Sequence, residues 1–230
     1  VAHLRGHWQL IVLTVLLFAL WQTSVVAPLR ILIVYLHELS HVIAILATGG
    51  SVEGLTVNAN EGGLVISRGG NRFLSLSAGY LGSLFIGALL FLAAVRTHAD
   101  RAILGILGGI ILLTTALYSR ELFAVGFGLI TGFAMLAIAR FMPRDYSDLI
   151  LRVIGLASMI YVPYDIFSDT IQRSYLRSDA RMLAEEFGGA TMMWGGLWNV
   201  LSLVVLALCL RYGLGADSNI RPANKSRYRT

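Results

Sequence analysis

Long apolar runs, rather than short alternating ones, dominate this chain. A helix needs about 20 mostly apolar residues to cross the hydrocarbon of a bilayer. Runs of that kind fall at 8–27, 30–49, 73–95, 102–118, 121–139, 149–168 and 191–211. The pattern predicts seven transmembrane helices, or six, because only Ser119, Arg120 and Glu121 interrupt 102–139. The first run reads as a retained helix rather than a signal peptide: Pro28 directly follows Ala27, where cleavage would fall, and the run is long for such a segment. Two stretches break the rule. In 51–72, the alternating runs Leu55–Asn58 and Leu64–Ser67 flank Asn60-Glu61-Gly62-Gly63, which predicts a β-hairpin. Residues 169–190 combine mixed charge with helical periodicity, which predicts an amphipathic helix at the membrane interface. In 73–95, Gly79, Ser83 and Gly87 recur four apart, a face suited to close helix packing in lipid.

Composition agrees with an all-α polytopic membrane protein. Apolar residues make up 57% and charged residues 13%, against about 25% charged in a soluble domain, so the chain cannot clothe a water-facing surface. Cys209 is the single cysteine, which excludes a disulfide scaffold and a cysteine-built zinc cluster. The net charge of +5 owes much to a basic tail at 212–230. No basic stripe interleaved with aromatics occurs elsewhere, so the expected partner is the lipid bilayer and not nucleic acid. With seven spans, ten basic residues share the side of the C-terminus against seven opposite, which favours a cytoplasmic C-terminus. No repeat or linker divides the chain, so 1–230 reads as one membrane-embedded domain in the cell membrane.

The chemistry sits in the second run. His37-Glu38-Leu39-Ser40-His41 is an H-E-x-x-H motif. Residues four apart share a helical face, so both imidazoles can bind one Zn²⁺ with Glu38 beside it. Such a zinc ion keeps a position open for water, from which the glutamate takes a proton. Apolar residues flank the motif for several turns, and an acid at a helix centre in lipid costs about 2.5–3.5 kcal/mol on insertion scales. Three ionisable residues at that depth need a partner, and a metal is the economical one.

A catalytic zinc usually takes three protein ligands. His3, His7 and His98 fall outside the spans. Glu53 and Glu61 fall in the hairpin, Asp100, Glu121 and Asp145 in short connections, Asp217 in the tail and Asp148 at a span entrance. Asp179, Glu185 and Glu186 lie on the amphipathic segment. Elimination leaves Asp165, with Asp169 as second choice, at the end of a long apolar helix that Pro163 is expected to kink.

These residues resemble the site-2 protease family of intramembrane zinc metallopeptidases, and more closely its compact bacterial and fungal branch that lacks a PDZ domain. The resemblance covers approximately residues 28–205. Its anchors are the H-E-x-x-H motif with Gly49–Gly50, the hairpin with Gly62–Gly63, and the stretch 77–90. Later anchors are the segment 164–170, Ser178-Asp179-Ala180 and the Trp-rich stretch 194–198. The resemblance implies cleavage of membrane-spanning protein substrates, His37 and His41 as zinc ligands and Glu38 as acid/base. Better-known members carry an Asn- and Pro-rich stretch ending in Leu-Asp-Gly. Here Val162-Pro163-Tyr164-Asp165 keeps only a proline shortly before an aspartate.

Two other functions fit a buried metal: a metal carrier, and a membrane zinc hydrolase of lipids or small molecules. Carriers often show repeated halves, and none is evident here. For a peptidase, the edge of the 51–72 hairpin offers a place where an unwound substrate can add as a strand.

Overall fold

A computed structural model describes residues 5–174, 177–215 and 217–220. Among them are eight helices and one two-stranded antiparallel sheet. The order is α1 (Trp8–Leu20), α2 (Ala27–Ala47), β1 (Ser51–Val57), β2 (Gly63–Arg68), α3 (Arg72–Arg96), α4 (Asp100–Tyr118), α5 (Leu122–Phe141), α6 (Arg144–Phe167), α7 (Asp179–Phe187) and α8 (Thr191–Leu208). Wider π-helical turns extend α6 over Ser168–Gln172 and α8 over Cys209–Gly213.

Six of these helices are long and apolar enough to cross a membrane: α2, α3, α4, α5, and α6 and α8 with their extensions. The protein is therefore an integral, multi-pass membrane protein. The expected span at 8–27 is shorter than its hydropathy promised. α1 has 13 residues, or about 20 Å of helix against a hydrocarbon core of about 30 Å. Its end is local chemistry: the Thr23 hydroxyl donates to the Leu20 carbonyl at 2.6 Å, and Pro28 opens a new helix. In contrast, 102–139 resolves into two helices, because Ser119–Glu121 turns the chain. The two described ends of the chain meet, where Ser218 N–H donates to the Gly6 carbonyl at 2.8 Å. Arg5 therefore lies with the C-terminal segment, not opposite it as a seven-span count requires. Residues 221–230 of the expected basic tail lie outside the described residues.

α2 and α3 run antiparallel through glycine contacts. A Cβ on Gly82 would stand 2.5 Å from the Ser40 Cβ. α3 and α6 meet in the same way at Gly87 and Gly155, where a Cβ on Gly155 would stand 2.7 Å from the Gly87 carbonyl oxygen. The small-residue face read from sequence is thus a real packing seam.

The hairpin lies beside α2, with Leu55 and Val57 of β1 buried and most of β2 exposed. Gly50 N–H donates to the Ile45 carbonyl near the end of α2, while Glu61 at the turn pairs with Arg30 near its start, at 2.7 Å. Fifteen helical residues span about 22 Å, the length of a seven-residue strand, so the hairpin runs back along α2. β1 is covered on its outer edge by the α4–α5 turn, through Thr56 Oγ1 donating to Glu121 at 2.7 Å. The outer edge of β2 faces a cavity.

Candidate metal centre

The helical spacing of His37 and His41 brings their rings to one side of α2, with centroids 4.8 Å apart. A third group meets them from a distant part of the chain. Asp179, the first residue of α7, places Oδ2 3.0 Å from His37 Nε2 and 3.2 Å from His41 Nε2. Among the described residues, these three form the group of histidine, cysteine and acidic side chains close enough to share an ion. Zinc bonds of about 2.0–2.1 Å in a tetrahedron put ligand atoms about 3.3 Å apart, so the donors need only a small adjustment to surround one.

The surroundings fit a metal too. A Cβ on Gly79 would lie 2.6 Å from His41 Nε2 and 2.6 Å from His37 Cε1, so only glycine lets α3 pass both rings. The His41 Nδ1 lies 2.8 Å from the Ser75 carbonyl oxygen, which selects the tautomer with hydrogen on Nδ1 and leaves Nε2 free to bind a cation. Asp179 is buried, and burial alone raises a carboxyl. When the imidazoles of His41 and His37 carry protons on Nε2 in place of a metal, their charge and hydrogen bonds outweigh that and hold Asp179 below the usual carboxylate range. It is the anion of the group.

Glu38 is buried on the same cavity wall. β2 starts against it: a Cβ on Gly63 would stand 2.6 Å from the Glu38 Cγ. The cavity holds about 740 Å³ and is lined also by Tyr80, Tyr161 and the β2 residues Leu64, Val65 and Ser67. Irregular and strand backbone at membrane depth is tolerated where it lines a wet cavity, which accounts for an unpaired β2 edge here.

The two acids nominated from sequence as third ligand sit apart from this trio. Asp165 and Asp169 reach the same cavity but not the histidine pair's donor group. Both turn to Arg173, at 3.5 Å and 2.7 Å, and Asp169 also accepts a hydrogen bond from Tyr80 at 2.5 Å. α6 continues through Pro163, whose carbonyl accepts from Asn199 Nδ2 at 3.0 Å. Elimination had discarded Asp179 as an interfacial acid. Its signal was its face: Asp179, Ala180 and Leu183 are the buried residues of α7, so this acid sits on the apolar side, four residues from Leu183.

A family model for Peptidase M50B-like proteins matches residues 10–209. The chain belongs to that family. Neither a curated relative nor a solved structure matches it. The Peptidase M50B-like match takes in the H-E-x-x-H helix, the hairpin and Asp179 together, and the family's zinc dependence agrees with the donor set described above.

Proposed function

We propose that this protein is an intramembrane zinc endopeptidase that cleaves membrane-spanning polypeptides, with His37, His41 and Asp179 as zinc ligands and Glu38 as general base and acid. The observation that carries this reading is the convergence of two imidazoles and a carboxylate beside Glu38, on a polar cavity within a bundle of spans. When bound, zinc supplies Lewis acidity that acidifies water and polarises a carbonyl. Glu38 takes a proton from the attacking water and returns it to the leaving amide nitrogen. His41 is kept in its binding tautomer by the Ser75 carbonyl. A substrate helix must unwind before cutting, since its carbonyls are otherwise bonded internally. The free edge of β2 supplies replacement backbone partners for the unwound segment.

The test is metal analysis of the full chain purified in detergent, with cleavage assays on candidate single-span proteins. Wild type should hold one zinc per chain. Asp179→Asn should lose zinc far more readily than Asp165→Asn, and Glu38→Gln should keep zinc but lose cleavage. Zinc retained by Asp179→Asn, or cleavage at the wild-type rate by Glu38→Gln, would overturn the assignment.

A further inference from the structure

The zinc assignment leaves Asp165 and Asp169 without a role, although they stand on the cavity wall beside it. The two histidines are also held in different ways. His41 is oriented by a hydrogen bond to the Ser75 carbonyl. His37 is oriented by packing: the Tyr80 ring meets it edge to face, with centroids 4.7 Å apart and planes at 82°.

Tyr80 is itself fixed from several sides. It is buried at 2% exposure, and its ring leans on Trp198 at 5.4 Å. Its hydroxyl donates to Asp169 Oδ2 at 2.5 Å. Arg173 grips the other oxygen of Asp169 at 2.7 Å, and its Nε donates to Ser168 Oγ at 3.0 Å. Asp165, 3.5 Å from the same guanidinium, adds a second carboxylate to Arg173. Asp169 lies within the π-helical turn that ends α6, a local irregularity that commonly marks functional sites.

We infer that Tyr80, anchored by Asp169 and Arg173, is the positioning residue that holds the His37 imidazole in its metal-facing orientation. This rests on the zinc assignment proposed above. A ligand histidine is ordinarily oriented by an outer hydrogen-bond partner, and losing such support costs about 10–100-fold in metal affinity. Here the ring edge of Tyr80 does that task for His37. The hydroxyl bond to Asp169 keeps the ring from swinging into the cavity. The aspartates that sequence alone nominates as ligands thus act at one remove from the metal.

The experiment measures zinc affinity by chelator competition, and the visible spectrum of the Co²⁺-substituted protein, for the full chain in detergent micelles. Tyr80→Leu should weaken zinc by about 10–100-fold and alter the cobalt bands. Tyr80→Phe and Asp169→Leu should each give a smaller, matching loss. The double variant should be no worse than either single one, because both remove the same bond. A merely structural Tyr80 would lower thermal stability while leaving zinc affinity and the cobalt spectrum unchanged, and that result overturns the inference. If Tyr80→Leu does not fold, the milder pair decides: additive losses, or none, sink it. Zinc loss in Asp169→Leu as severe as in Asp179→Asn would make Asp169 a ligand instead, which also overturns it. Retention of zinc by Asp179→Asn is a different failure, that of the metal assignment itself.

Discussion

Gly79→Ala is the smallest change that reaches both histidines without touching either. It adds one methyl group where the Cβ would stand 2.6 Å from His41 Nε2 and 2.6 Å from His37 Cε1. Ordinary van der Waals contact starts at 3.4 Å, so the His41 ring must retreat by about 0.8 Å and the His37 ring, whose Nε2 stands closer still, by more. Credible metal-site geometry tolerates deviations of only about 0.2 Å. A retreat of that size takes at least one nitrogen out of bonding range. The alternative is for α3 to move off α2, which opens the close seam at Ser40 and Gly82. Overpacking of this kind typically costs about 1–3 kcal/mol, equivalent to about 5- to 150-fold in affinity. Chelator competition on the detergent-purified protein should therefore show zinc binding weakened within that range. Gly109→Ala on α4, where the new Cβ meets nothing within 4 Å, serves as the control and should bind as wild type does. Wild-type zinc affinity in a folded Gly79→Ala protein would refute the claim that α3 confines the two imidazoles.

Two further outcomes are expected. Gly63→Ala should keep zinc yet lose most cleavage, because its methyl would press on the Glu38 side chain rather than on the donor group; equal loss of zinc and cleavage would count against a selective effect on Glu38. Arg152→Met should destabilise the fold by about 3–5 kcal/mol, as expected when one partner of a buried pair is removed. Arg152 and Asp148 are 5% and 7% exposed, and Arg152 also reaches the Ser218 carbonyl. Pairing it with Asp148→Leu should restore much of the loss in thermal unfolding in micelles, and no restoration would show that the pair is not the source.

What was legible in the sequence was local. The imidazole pair and Glu38 follow from helical spacing within one turn of α2. The hairpin follows from alternation around Asn60–Gly63, and the close seams from small residues four apart. The end of α1 at Leu20 was harder to read, because hydropathy averages over Gln22, Thr23 and Ser24 while hydrogen bonding does not. Asp179 was missed for a different reason. Its contact with His37 spans 142 positions of sequence, and on a helix of mixed charge an inward acid looks like its solvated neighbours Glu185 and Glu186 until the buried face is known.

The placement of that acid has a physical logic. An acid in the middle of a span is penalised on insertion by about 2.5–3.5 kcal/mol, and α2 already carries Glu38. The third ligand proposed on α7 avoids a further penalty of that kind, because α7 is a nine-residue helix outside the six spans. It brings its carboxylate to the histidines only when the bundle is assembled. Asp165, which does ride in a span, meets Arg173 instead. Docking of α7 also leans on Phe73 against Phe187 at 5.4 Å and on the Arg72–Glu186 pair at 3.0 Å. A surface pair of that sort contributes at most about 1 kcal/mol. The proposed metal would therefore tie α7 to α2 alongside the apolar docking of Ala180 and Leu183, which are fully buried in the core.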